Sequence, residues 1–422
     1  MTIKMTSLNK IIKVALVSIL LLSVPQVNHA QEVLDNYLKI AAENNPRLKS
    51  LFRYYLAALE KMPQVRALPD PQVAFGVFVS PVETRVGPQQ ATISVSQMFP
   101  WFGQLKAQER VEAQVAQARF QSFEDAKNRL FFDVKTTYNN LYVLQAAIEI
   151  NRENIRLLET FRELANVKFE SGKGSLVDVL RIEMETRELE NQIDFLEDSL
   201  IPLNTRFEEL LNTKLDGPVI YPDTLWEDDV VLGKAAIYDS IITQNPSLKR
   251  FDHEILSLEN QVEVARKLGM PSFSVGLNYI NVSERKDVEI PDNGKDALML
   301  PLVGIRIPLY RNKYKAMVKE KQIHQESVQF AKEDTANKLL TELDKGYRDY
   351  LDADRRLPLY LNLVEIARQS LDIMVAEYTS AGIEFEEILR MGRQLLKYEL
   401  ELETARADQN TSVAFIDYLM AK

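Results

Sequence analysis

Residues 104–171 contain neither glycine nor proline, and Gly103 and Gly172 bracket them. These two residue types interrupt helices most strongly, so the run predicts one helix of ~100 Å at 1.5 Å rise per residue. Its apolar residues hold a seven-residue frame, with Val134, Leu141, Ile148 and Ile155 in one position and Leu144 and Leu158 three further along. Beyond Ser171-Gly172, Leu189, Ile193, Leu196, Leu200, Leu203, Phe207 and Leu210 alternate three and four apart. Heptads sustained this long predict helices packed as coiled coils; an ordinary helical bundle is the plain alternative, and length favours the coiled coil. Fourteen Gly and seventeen Pro in 422 residues also speak against a sandwich punctuated by turns.

The chain is duplicated. Asn45-Pro46-Arg47-Leu48-Lys49 returns as Asn245-Pro246-Ser247-Leu248-Lys249, and Pro71 and Gly76 return as Pro271 and Gly276, all at an offset of 200. Phe99-Pro100 answers Ile307-Pro308. From there the offset settles at 209: Phe169, Ser171, Asp178, Leu180 and Arg181 answer Tyr378, Ser380, Glu387, Leu389 and Arg390. The second heptad series, Leu343, Tyr350, Leu357, Val364, Leu371 and Tyr378, keeps that offset. So long a period is not a solenoid repeat of ~20–50 residues but a doubled unit. We divide the sequence into residues 1–30, a first repeat 31–230 and a second repeat 231–422. Strands are predicted at about 71–80, 91–99, 271–282 and 298–308, and helix turns at about 170–175 and 379–384.

In the strands Val73, Phe75, Val77 and Val79 alternate with Ala74, Gly76, Phe78 and Ser80. Phe273, Val275, Leu277 and Tyr279 alternate with Ser272, Ser274, Gly276 and Asn278, and Val303, Ile305 and Ile307 flank Gly304 and Arg306. Runs of roughly ten residues, apolar on one face and small or polar on the other, fit tilted transmembrane strands. Phe99, Trp101, Phe102, Tyr310 and Tyr314 near the strand ends suit an interfacial aromatic girdle. A small soluble sheet packed on the helices is the alternative. Four strands cannot close a barrel and lipid tolerates no open edge, so membrane strands here require several chains in one barrel.

The N-terminus predicts export. Lys4, Lys10 and Lys13 precede the uncharged run Val14–Val24, and Asn28-His29-Ala30 offers a cleavage point before Gln31. The run is too short to span ~30 Å of hydrocarbon as an anchor. Losing those three lysines takes the net charge from −10 to −13. An acidic chain without cysteine excludes disulfides, thiol nucleophiles and Cys-type zinc sites, and argues against nucleic-acid binding.

These landmarks resemble the TolC family of outer-membrane efflux proteins over essentially the whole mature chain. The closest motifs are Phe169-Glu170-Ser171-Gly172-Lys173-Gly174-Ser175-Leu176-Val177-Asp178-Val179-Leu180 and Tyr378-Thr379-Ser380-Ala381-Gly382-Ile383-Glu384-Phe385-Glu386-Glu387-Ile388-Leu389. They are similar to the family's aromatic-x-x-Gly-x-x-Ser-x-x-Asp-Val-Leu turns, with Ala381 standing at the second copy's glycine position. Leu68-Pro69-Asp70-Pro71, residues 81–88 and Gln97-Met98-Phe99-Pro100-Trp101-Phe102-Gly103 are most similar to the heavy-metal, CusC/CzcC-like branch. The resemblance implies a mainly α fold of long coiled-coil helices with two β-hairpins per chain. It further implies a homotrimer with one shared twelve-stranded outer-membrane barrel above a periplasmic tunnel, docking a membrane-fusion adaptor and an inner-membrane RND-type pump. Its cargo would be metal cations or drugs.

Within that frame Asp178 and Glu387 are candidates for an acidic, cation-selecting constriction, held shut by contacts of Arg181 and Arg390. The competing reading is an acid favoured by the helix N-terminus wherever it sits. Gly172, Lys173, Ser175, Ser380 and Gly382 are candidate adaptor contacts, or simply solvated turns. Arg306 is a candidate lumen residue, or a strand-end arginine near headgroups. Ser171–Ser175 lacks the first glycine of a phosphate loop and follows a helix, His253 and His324 read as solvated, and the Met and His residues form no ligand-spaced cluster. No catalytic constellation, cofactor or metal site is expected. Two other readings share parts of the pattern: the duct of a type I protein-secretion system, and a periplasmic coiled-coil adaptor without a barrel.

Overall fold

The structure, a computed structural model, describes residues 29–422 apart from 216, 288 and 381. The export signal assigned to residues 1–30 therefore falls almost wholly outside the described residues, as does Ala381. The elements are α1 (His29–Asn44), α2 (Pro46–Leu59), α3 (Lys61–Arg66), β1 (Gln72–Thr84), β2 (Gly87–Phe99), α4 (Gln104–Glu170) and α5 (Leu176–Leu211). The same order follows in α6 (Lys234–Gln244), α7 (Pro246–Leu268), β3 (Ser272–Val282), β4 (Ala297–Arg306), α8 (Arg311–Ser380) and α9 (Phe385–Met420). The chain is mainly helical with a small sheet, as expected.

The helices form where the sequence removes breakers and end where it supplies caps. The glycine- and proline-free run is one helix, α4, of 67 residues. The heptad positions are its buried face: Val134, Leu141, Ile148 and Leu158 are inside, as are Leu343, Tyr350, Leu357, Leu371 and Tyr378 of α8. Asn212 ends α5 in the left-handed conformation. Asn245 caps α7, its side chain accepting from the Ser247 N–H at 3.0 Å, with Pro246 preset for the first turn. Each Asn of the two Asn-Pro motifs also reaches the end of a return helix. Asn45 Nδ2 donates to the Leu210 carbonyl at 3.2 Å, and Asn245 Nδ2 donates to the Leu419 carbonyl at 2.9 Å.

Two compact units are present, and neither matches a sequence repeat. The first combines residues up to 45 with 129–234 and 344–418; the second combines 46–128, 235–343 and 419–422. Duplication in sequence is thus not separation in space, because equivalent long helices of both repeats pack into the same core.

In the first unit residues 219–231 run without regular structure, yet their backbone is not left unpaired. Tyr138 Oη donates to the Ile220 carbonyl at 3.0 Å, and the Leu225 N–H donates to Tyr142 Oη at 3.3 Å. Asn410 takes both sides of its strand-like neighbour, donating to the Trp226 carbonyl at 3.0 Å and accepting from the Asp228 N–H at 3.3 Å. The Val230 N–H reaches Tyr350 Oη at 3.4 Å. Helix side chains therefore stand in for a neighbouring strand, which lets an irregular segment cover the core. Burial, with Tyr37 alongside, pushes the Tyr138 hydroxyl up to about 12.

The second unit holds the sheet. Its order is β1-β2-β3-β4, antiparallel throughout, so the two hairpins join through β2 and β3. β1 runs further than the sequence suggested, to Thr84, across a register shift between Val77 and Val82. The hairpin turns tightly at Arg85-Val86 into Gly87, whose φ of +134° and approach to Ser283 leave no room for a side chain. His253 is not solvated as the sequence reading had it: it is half-buried on α7 and hydrogen-bonds Gln114 at 2.9 Å, and burial lowers its pKa. His324 is exposed.

Candidate functional site

Two regions carry the sequence's candidate residues. The first is the pair of helix turns in the first unit. At α4's end the Gly172 N–H donates to the Phe169 carbonyl at 3.0 Å and the Lys173 N–H to the Lys168 carbonyl at 2.9 Å. That is a Schellman closure, and Gly172 takes the left-handed φ of +69° it requires. Gly174 serves a different need, since a Cβ there would lie 2.9 Å from Lys168 Cβ and 3.0 Å from the Phe169 nitrogen. Ser175 then caps α5 by accepting from the Val177 N–H at 3.2 Å, which puts Asp178 in the first turn where the helix dipole favours an acid. Ser175 is thus occupied in its own helix, while Lys173 is exposed.

The second turn faces the first. Lys168 donates to the Tyr378 carbonyl and lies 3.7 Å from the centroid of the Tyr378 ring. Burial raises the Tyr378 hydroxyl's pKa, and the Asp178 charge adds to it. Ser380 is the last residue of α8, and Gly382 stands in open space before α9 begins. Together the turns border an open cleft of about 610 Å³ that Gly172, Lys173, Asp178, Arg181, Gly382 and Glu386 help to line. Beneath it lies an apolar core that includes Phe161, Ile182, Phe385 and Ile388.

The four constriction candidates do not form the symmetric set that the repeat suggests. Asp178 and Arg181 approach only to 4.0 Å, whereas Arg181 meets Glu386 at 3.1 Å. Arg390 turns to Glu387 on its own helix. Arg393 ties the two return helices, contacting Glu185 at 3.1 Å and Glu386 at 3.8 Å. Burial raises the Glu185 pKa even though Arg393 works against it. Glu185, Glu386, Arg393 and Lys168 were not singled out from the sequence. The reason is visible in the repeat: at the offset of 209 the counterpart of Glu386 is Val177, so Arg390 has no equivalent carboxylate to reach.

The second region is the sheet. Register puts Val73 opposite Val95, Phe75 opposite Ile93, Val95 opposite Leu277, and Val275 opposite Val303. Opposed residues of antiparallel strands share a face, so these residues make one apolar surface across all four strands. Val73, Phe75, Val77, Val275, Val303 and Ile305 are exposed on it. The other face carries Ala74, Gly76, Ser94, Ser96, Ser274, Gly276 and Gly304, and Arg306 opposite Ser272 belongs to it. Trp101 stacks on Phe273 at 6.1 Å beside Phe102, and Tyr310 is exposed past β4.

Residues 37–193 match the family model described as outer membrane efflux protein. The chain also superposes on solved outer-membrane channels over 92% of its length. For CusC the TM-score is 0.76 at 15% identity, with 92% of that chain covered. For VceC of Vibrio cholerae it is 0.71 at 14% identity, with 96% covered. For MtrE of Neisseria gonorrhoeae, a channel solved in its open state, it is 0.71 at 14% identity, with 88% covered. No curated protein sequence matches.

The resemblance to the outer-membrane efflux family holds. Residues 37–193 carry the family's sequence pattern, and over 92% of its length the chain has the fold of the solved outer-membrane channels. In that fold the candidate residues sort by place: Asp178, Arg181, Glu387 and Arg390 at the helix turns, Arg306 on the polar face of the sheet. No helix among the described residues is long and apolar enough to cross a membrane, a statement that does not bear on strands. Among the described residues no group of three or more His, Asp or Glu is placed to hold a metal ion.

Proposed function

We propose that this chain, after loss of residues 1–30 on export, is one subunit of a trimeric outer-membrane duct. It conducts metal cations or drugs delivered by an inner-membrane pump through a periplasmic adaptor. The observation that carries this is the sheet: one exposed apolar face, one small and polar face, and two unpaired edges at β1 and β4. An apolar face of that size in water is a liability, and unpaired edges in lipid cost several kcal/mol per unsatisfied group. Sharing a closed barrel with identical copies removes both problems.

The duct needs no catalysis. It needs an exit wide enough for cargo and an entrance that is closed until the pump complex docks. The helix turns supply the entrance, with Asp178 and Glu387 as the acidic constriction, Arg181 and Arg390 beside them, and Gly172, Lys173, Ser175, Ser380 and Gly382 on the adaptor side. Arg306 lines the barrel's lumen. The test begins with fractionation: heat-modifiable trimers recovered in outer membranes are expected, and full recovery in the soluble periplasm would overturn the reading. Purified trimers in planar bilayers should then conduct, with cation preference reduced in Asp178→Ala/Glu387→Ala. Unchanged selectivity and gating in that variant would refute the constriction while leaving the duct.

A further inference from the structure

A cavity of about 300 Å³ in the first unit is lined by none of the turn residues. Its titratable walls are Asp35 from α1, Lys135 from α4, Asp228 from the irregular segment and Asp417 from α9. Setting Asp417 aside, two carboxylates against one ammonium leave a net charge of −1 in the cavity at neutral pH. Among the described residues only one oxygen of the Asp228 carboxylate is taken, by Trp226 Nε1–H at 3.0 Å. A further acceptor waits among the lining residues: Asn139 is 2% exposed and uses its Nδ2 on Thr411 at 3.0 Å, while its Oδ1 has no hydrogen-bond partner. An excess of acceptors and negative charge calls for a compact cation rich in N–H donors.

Gln31 also lines this cavity. It is the residue that cleavage after Ala30 would make the first of the mature chain. We propose that the cavity receives the chain's own processed N-terminus, with the α-ammonium group of Gln31 neutralising the charge that Asp35 and Asp228 leave beside Lys135. An ammonium brings one positive charge and three donors, which is the complement of what the walls lack. Two influences oppose it. The helix dipole at the start of α1 disfavours a positive charge, and Lys135 repels it. Dipole partial charges are about half a unit, however, and the carboxylates carry whole charges, so the ammonium form is favoured. Export and cleavage would then complete this part of the first unit, because the uncut chain has an amide where the ammonium belongs. The inference rests on the export reading and not on conduction.

The test uses the full chain, expressed with its own N-terminus and purified from outer membranes. The N-terminal peptide's mass gives the mature start, expected at Gln31. Limited acylation with acetic anhydride across pH then reads the α-amine's proton affinity in the folded trimer and in urea. Folding should raise the half-reactive pH by about one unit above the ordinary α-amino range, about tenfold slower acylation near neutral pH. Asp35→Asn/Asp228→Asn should bring the folded rate to within about twofold of the unfolded one, and Lys135→Met should slow it further. Equal rates folded and unfolded overturn the proposal, as does slowing that survives the Asn substitutions, since that is burial alone. A mature start elsewhere, or Gln31 cyclised to pyroglutamate with its α-nitrogen uncharged, overturns it as well. Bilayer conductance measured on the same trimers reports on the duct reading separately.

Discussion

The side-chain amide of Asn245 donates to the carbonyl of Leu419, 174 residues away, while its oxygen caps its own helix. The last carbonyls of a helix have no intrahelical partner, so α9 ends on a residue that also starts α7. Asn45 makes the matching bond to Leu210 at the end of α5. The repeated Asn-Pro is therefore a fastener between the opening and closing helices of each repeat.

Asn245→Ala should cost about 1–3 kcal/mol, because it removes a helix cap and orphans a carbonyl in a buried setting. Asn45→Ala should cost less, since that site is more exposed. Denaturant midpoints of the purified protein check the order, and equal losses would show that burial does not set the difference.

The two glycines of the first turn should respond differently to alanine. Gly172→Ala meets open space and is charged only for its left-handed backbone, about 1–2 kcal/mol, and Gly172→Asn should recover much of that. Gly174→Ala collides with the α4 backbone and should cost about 1–3 kcal/mol, with no rescue by Asn. Thermal unfolding of the four-variant set separates the causes.

Tyr142→Phe should be costlier than Tyr138→Phe. Tyr142 Oη donates to Glu403 at 2.5 Å and accepts from Leu225, whereas Tyr138 Oη serves chiefly the Ile220 carbonyl. Each buried group left unpaired costs about 1–3 kcal/mol, so Tyr142→Phe should also expose residues 219–231 to limited proteolysis.

Glu185 gives a pH dependence whose sign can be worked out. Its folded pKa is raised by burial, so the native state holds a proton more readily than the unfolded chain. Stability from this group is present below the ordinary glutamate value and is lost as pH rises through the raised one. Glu185→Gln should therefore be neutral or mildly stabilising at neutral pH, and the gap from the parent should shrink as pH falls through that window. A parent that is increasingly favoured over Glu185→Gln as pH rises would show that the Arg393 pair outweighs burial.

Much of this architecture could be read from residue spacing. The missing glycine and proline fixed α4, the heptads named its buried face, and period-two alternation located the strands. What spacing could not supply was any contact whose two ends obey no common period. Residues 219–231 have no regular pattern, and their partners are tyrosine hydroxyls and one asparagine amide scattered over four helices. At the turns symmetry misled, since it paired Arg390 with Arg181 when only Arg181 has a carboxylate opposite it. The units were also hidden, because heptads report that a face is buried and not which helix buries it.

Four antiparallel strands in sequential order leave β1 and β4 running in opposite directions at the two rims. A copy rotated about a barrel axis can seat its β1 on a neighbour's β4 without reversing either strand, whereas β1 on β1 would turn one copy upside down in the bilayer. Each subunit in such a ring is therefore a one-way link, with a head and a tail that are not interchangeable. Chains of this kind have no spare links. In the proposed barrel a single copy with a spoiled rim strands its healthy partners, so a minor fraction of damaged subunits should silence a far larger fraction of assemblies.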